Sequence, residues 1–284
     1  MYKYRIEQEN IITKDIELFC FFDESLKALG VKTPKNSLIS YADVLLITYH
    51  AFKKYNGNYK AACVNYFYNR YSTYIDYSRF LKKLKIIQAY CVKFIMKLLE
   101  KNLAENNNKI LLVDSMPIPL TQHKRKSKRL SNSDIVGFNA FDKTYYVGVK
   151  LTMLCTTTKK PVFLYIDYAS NHDIKTFEKL VNLTSEKMEG TMIIGDKAYN
   201  SKELEAKLLS SGIILNPIRK NNIMDSERKQ KISIRKNIET AFSMIKNYLT
   251  NTVRTRTFNG FIEKIQLAIA MFTLSQTFAL KNSH

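Results

Sequence analysis

Three carboxylates stand where an ordinary surface acid would be out of place. Asp114 interrupts the apolar stretch "KILLVDSMPIPL" (109–120), where a charge is costly unless it binds a metal or finds hydrogen-bond donors. Asp196 follows the apolar run 191–194 and Gly195, at the point where a buried strand would end. In open α/β sheets the carboxyl ends of strands line the ligand crevice, so an acid there is placed for chemistry. Glu239, in "RKNIETAFSMIK", borders the apolar stripe of a helix rather than the opposite polar face. Arg235 precedes it by one helical turn and Lys246 follows two turns later, which puts the three near one side of that helix. Each acid also has a plain structural reading. Asp196 can open a turn with Gly195, and Glu239 can pair with Arg235 at i, i+4.

The elements that must carry these residues are legible in the pattern. From about residue 12 to 104, apolar residues recur at three-to-four spacing, broken at Gly30, Pro34 and Gly57, which predicts an all-helical N-terminal domain over 1–104. The polar stretch "AENNNK" (104–109) is read as the joint. A second domain over 109–284 then alternates strands and helices. Strands are expected at 109–120, 144–156 and 161–170, the last two joined by a short polar turn. A helix at 172–187, a strand at 191–196, a helix ended by Gly212 and a strand at 213–219 follow. The run 191–194 is continuously apolar, as expected of a central strand covered on both faces. Residues 231–249 carry Ile234, Ile238, Ala241, Phe242, Ile245 and Leu249 on one stripe, an amphipathic helix.

Composition bounds the class. The 284 residues are 45% hydrophobic, enough for a substantial core, and 45 Lys plus Arg against 25 Asp plus Glu give a net charge of +20. A pI near 9.6 favours a polyanionic partner such as nucleic acid or an acidic membrane surface. No long uncharged apolar run and no signal-peptide layout is present, so the expected location is the cytoplasm, associated with the nucleoid. Cys20, Cys63, Cys91 and Cys155 are far apart and read as reduced, buried thiols.

Asp114 on a first strand, Asp196 on a later one and Glu239 within R-x-x-x-E-x-x-x-x-x-x-K resemble the DDE transposases of bacterial insertion sequences. The likeness extends to "VDSMPIPL", "YYVGVKLTML", "ASNHD", "GDKAYNS" and "RTRTFNGFIEKIQLAIAMF", and "NGNYKAACVNYF" and "YSRFLKKL" are similar to the helical part of one subgroup, insertion-sequence family 982. The resemblance implies an α/β, ribonuclease-H-like mixed sheet flanked by helices with a C-terminal helix. It implies metal-dependent cleavage of double-stranded DNA at the element's terminal inverted repeats and transfer of the 3′ ends to target DNA, by a homodimer on DNA. Asp114, Asp196 and Glu239 would hold two Mg²⁺ ions, which Mn²⁺ can replace, activating the nucleophile and stabilising the leaving oxygen. Three positions depart from the usual pattern: Ile232 for an aromatic residue, Ala198 for a second glycine and Thr152 for a histidine. Ile232 and Thr152 bear on how DNA strands are positioned.

Arg235 and Lys246 are implied phosphate contacts. "HKRKSKRL" adds Lys124, Arg125, Lys126, Lys128 and Arg129 on the expected loop between the first two strands, with a flexible solvated hairpin as its alternative. Lys197, Arg219, Arg228 and Lys229 complete the DNA-binding candidates, and end binding falls to the N-terminal domain as a whole. Two other classes fit the same residues: a junction-resolving nuclease without strand transfer, and a transposase-derived repressor that binds without cutting.

Overall fold

The structure is a computed structural model describing residues 2–68, 75–122, 135–139, 142–219, 226–249, 255 and 257–279. The chain divides into two compact units. One comprises Met1–Met96, Asn247–Thr250 and Gln266–Met271, the other Lys97–Lys246, Asn251–Ile265 and Phe272–His284. This division falls within a helix, ahead of the polar turn at 104–109 that the sequence marks as a joint.

The first unit is helical. Helix α1 (Tyr2–Ala28) buries Leu18, Phe22 and Leu26 at successive turns. It ends because Gly30 adopts φ +76°, a conformation that only glycine takes without strain, which lets the Val31 N–H reach the Leu26 carbonyl. Helix α2 (Tyr41–Lys54) starts at a reciprocal cap, the Asp43 N–H donating to Ser40 Oγ and the Ser40 N–H to Asp43 Oδ2. It is buried from Tyr41 to Phe52 almost without a break. Helix α3 (Tyr59–Ala62) runs into a π-helical turn at Cys63–Phe67. Helix α4 (Tyr77–Ala104) buries Phe80, Leu84, Ile87, Cys91 and Phe94 along one stripe. Cys63, Cys91 and Cys155 are buried thiols as expected, whereas Cys20 is exposed, because it lies off the Leu18–Phe22–Leu26 stripe of α1.

The second unit is a mixed sheet flanked by helices, a ribonuclease-H-like α/β fold. Strand β1 (Ile110–Gln122) pairs antiparallel with β3 (Thr144–Thr156), which pairs antiparallel with β2 (Val136–Asn139) and β4 (Pro161–Tyr168) along its other edge. On the opposite side β1 pairs parallel with β5 (Met192–Ile194), and β5 with β6 (Ile214–Leu215). Strand β5 is thus central. Helices α5 (Asp173–Thr184) and α6 (Lys202–Ser210) cover the face that carries Leu111, Val113 and Ile193, with Phe177, Leu180, Val181, Leu204 and Leu208 closing the core. Helix α7 (Arg228–Lys246) buries Ile238, Ala241, Phe242 and Ile245, and α8 (Phe258–Ala279) ends the described chain.

Candidate active site

The register of two strands places the first two acids. Leu112 of β1 lies opposite Ile194 of β5 in the parallel pair. Side chains alternate faces every residue, which puts Asp114 on the Leu112 face of β1; continued two residues past the end of β5 at Ile194, the same alternation puts Asp196 on that face, and its charge reaches Asp114. Val113 and Ile193 point the other way, into the core under α5 and α6. Hydrophobic alternation therefore drives one set of residues inward and turns the two acids toward the face that meets α7.

Gly195 is required by the close approach there. A Cβ at this position would lie 2.8 Å from Val113 Cγ1 and 2.9 Å from Tyr199 Cδ2, both inside van der Waals contact. Asp196 then caps the 3₁₀ turn Lys197–Tyr199, accepting a hydrogen bond from the Ala198 N–H at 2.8 Å. That turn drives Tyr199 into the core, edge-on to Phe177 at 5.4 Å between ring centroids. Its hydroxyl lies 3.1 Å from Ser115 Oγ, which lies 2.7 Å from Thr152 Oγ1. This row of hydroxyls braces β1, β3 and the turn after β5 behind the acids. Ser115 is thus a local hydrogen-bonding residue, and Thr152 is fully buried across from it.

Asp114 is held from two sides. The Ser115 N–H donates to its Oδ1 at 2.8 Å, and Arg235 Nη2 of α7 donates to its Oδ2 at 2.8 Å. Burial pushes the Asp114 carboxyl up to about 6, against the pull of the Arg235 charge and the Ser115 N–H; the Asp196 charge adds to the rise. Arg235 Nη2 also lies 3.7 Å from Glu239 Oε1, so the guanidinium stands between two of the three acids. The i, i+4 contact foreseen from sequence is present, but the shorter partner is Asp114, which the sequence does not reveal. Glu239 is 58% exposed, while Arg235 and Asp114 are 15% and 20% exposed. Arg235 Nε is buried with no hydrogen-bond partner among the described residues.

The donor set suits an oxygen-seeking divalent cation: half-buried Asp114 and Asp196, with exposed Glu239 one turn beyond Arg235. Among the described residues no three His, Cys, Asp or Glu side chains stand close enough together to hold an ion. The positive charge that Asp114 needs is supplied by Arg235. The acids are of the right kind and two share a face; the guanidinium occupies Asp114.

The other candidates are dispersed. Lys246, Lys197 and Lys229 are exposed and Arg228 is half-buried. Arg219 is engaged in a two-pronged pair with Glu205, Nη2 to Oε2 at 2.9 Å. Lys124, Arg125, Lys126, Lys128 and Arg129 lie outside the described residues.

A mixed sheet of this order, with Asp114 within β1, Asp196 just past the end of β5 and α7 against Asp114, is a ribonuclease-H-like fold. Residues 105–274 match the family model described as the transposase DDE domain. The match spans more than half of the chain, and the chain belongs to that family. No curated protein matches it. No helix among the described residues is long and apolar enough to cross a membrane.

Proposed function

We propose that this chain cuts DNA at the terminal inverted repeats of its own insertion sequence and joins the 3′ ends to target DNA, using Asp114, Asp196 and Glu239 with Mg²⁺. The observation that carries the reading is the parallel register of Leu112 with Ile194, which sets Asp114 and Asp196 on one face beside Arg235 of α7. Those two acids and Glu239 would hold the ions, which when bound make a water or a 3′-hydroxyl nucleophilic and offset charge on the leaving oxygen. Mn²⁺ should substitute. The chain's own residues set the stage. The Ser115 N–H fixes one oxygen of Asp114, the Ala198 N–H fixes Asp196, and Arg235 balances the charge of Asp114. Lys246, exposed on α7, is assigned to a DNA phosphate.

We assign residues 1–104 to end binding, 109–284 to catalysis, and the assembly on DNA to a homodimer, because transposition holds two ends together. Membership in insertion-sequence family 982 belongs to the same reading. Lys124, Arg125, Lys126, Lys128, Arg129, Lys197, Arg228 and Lys229 are proposed phosphate contacts, as is Arg219 once it leaves Glu205.

A second reading, a DNA-binding protein that does not cut, is favoured by one observation: Arg235 on Asp114 leaves no described three-acid cluster. The test separates the two. Asp114→Ala, Asp196→Ala and Glu239→Ala should each abolish end cleavage while folding and DNA binding persist. Full cleavage by Asp196→Ala would end the transposase mechanism proposed here, and absence of cleavage by the wild-type protein on its own element ends would favour the binder.

A further inference from the structure

Helix α4 carries a row of cations with no carboxylate partner among the described residues. Between Asp76 and Glu100 there is no carboxylate in the sequence, yet the helix bears Arg79, Lys82, Lys85 and Lys93 on its solvent side. At about 100° per residue Lys82 and Lys93 fall nearly in line, with Arg79 and Lys85 about 60° to either side. Exposed Ile86 and Ala89 lie between them. Lys83 is different: it turns inward, donating to the Ile39 carbonyl at 3.0 Å.

Several other lysines behave otherwise, Lys27 of α1 pairing with Asp23. Lys101, Lys150, Lys160, Lys179, Lys187 and Lys207 each have a carboxylate within 4 Å. Among the described residues Arg79, Lys82, Lys85 and Lys93 have none, and the nearest acid in sequence, Asp76, accepts from the Arg79 backbone N–H as the helix cap. Like charges one turn apart repel and oppose helix formation, so this row does nothing for the fold. Phe80, Leu84, Ile87, Cys91 and Phe94 are buried on the other side, while the outward face mixes its cations with exposed Leu81, Ile86, Val92 and Met96, so a vesicle control is needed to separate duplex from membrane binding.

We infer that this face of α4 is a docking surface for the phosphate backbone of duplex DNA, with Arg79, Lys82, Lys85 and Lys93 as the contacts. The four span about 21 Å of helix at 1.5 Å per residue, a length over which a duplex presents on the order of a dozen phosphates. The inference rests on the DNA-handling reading above and gives its N-terminal part a specific surface.

The experiment measures fluorescence anisotropy of a labelled random-sequence duplex of about 30 base pairs across a KCl series. It compares the full chain with the variant Arg79→Gln/Lys82→Gln/Lys85→Gln/Lys93→Gln. Each neutralised phosphate contributes about 0.9 to the log–log salt slope, so the variant should lose about 3.6 of it. By the same relation its affinity near 0.1 M salt should fall up to about 10³-fold. A control variant, Lys101→Gln/Lys160→Gln/Lys187→Gln/Lys207→Gln, removes the same charge from paired lysines and should keep most of the slope. Thermal unfolding should show both variants folded, the first at no loss of stability.

An unchanged slope in the first variant overturns the inference. So does an equal loss in the control, which would mark a general charge effect, and so does loss of binding to phosphatidylserine vesicles with duplex binding intact. If the wild-type chain binds no duplex at all, the DNA-handling reading itself has failed; if it binds and only the α4 variant behaves as wild type, this surface alone is refuted.

Discussion

Replacing Arg235 by Gln should tighten the binding of Mn²⁺ to the DNA-free protein. The guanidinium and a metal ion compete for the same oxygen of Asp114, to which Arg235 Nη2 now donates at 2.8 Å. A hydrogen bond between charged partners contributes about 1.5–3 kcal/mol. Against this stands the buried Nε of Arg235, whose missing partner costs about 1–3 kcal/mol and is relieved when the side chain leaves. The two partly cancel, leaving a net hold on Asp114 of up to about 2 kcal/mol, so its removal should strengthen Mn²⁺ binding by up to about thirtyfold. The assay is isothermal titration calorimetry at pH 8, well above the Asp114 value of about 6, so that a further rise on losing Arg235 leaves most of the carboxyl ionised. DNA cleavage by the variant should still fall, since Arg235 is also assigned to a phosphate. Unchanged or weaker Mn²⁺ binding would refute the reasoning, because Arg235 would then be positioning Asp114 rather than occupying it.

Other outcomes follow from the same geometry. The Asp114 carboxyl sits near 6 in the folded protein, above its unfolded value of about 3.9, so the native state holds the extra proton between those pH values. Stability should therefore fall as pH rises from about 4 to 6 and level off above, by at most about 3 kcal/mol, and Asp114→Asn should remove that slope in urea unfolding. Gly195→Ala puts a methyl group 2.8 Å from Val113 and 2.9 Å from Tyr199, and overpacking of this kind costs about 1–3 kcal/mol. Its melting temperature should drop and its cleavage with it, because Asp196 is the next residue. Tyr199→Phe deletes one hydroxyl from the row through Ser115 and Thr152 and should cost about 1 kcal/mol in urea unfolding; no loss would mean that the row does not brace the strands.

Much of the second unit can be read directly from sequence because its elements announce themselves by local pattern. The apolar run before Gly195 gives a central strand, and the turn between 156 and 161 joins β3 to β4 where expected. Asp114 and Asp196 are visible for the same reason: each breaks a run that burial would otherwise keep apolar. Strand β2, Val136–Asn139, escapes notice because four residues carry too little alternation, and its pairing with Thr144–Val147 holds it. The expected strand at 213–219 shrinks to Ile214–Leu215, although the backbone beyond still donates from Ile218 to the Gly195 carbonyl. The pair of Arg235 with Asp114 joins residues 121 positions apart. Nothing local encodes it, since it depends on which face of the sheet α7 covers. The cations of α4, without a carboxylate partner among the described residues, show the reverse case: the charges are plain in the sequence, but only the fold tells which lysines have partners.

The most direct test of the central claim is the structure of the protein bound to a duplex carrying its element end, with Mn²⁺ located by anomalous scattering. Mn²⁺ should lie within about 2.2 Å of carboxylate oxygens of Asp114, Asp196 and Glu239, with Arg235 drawn off Asp114 onto a DNA phosphate. Mn²⁺ bound elsewhere, or Arg235 still on Asp114 with Glu239 turned to solvent while DNA fills the site, would contradict it.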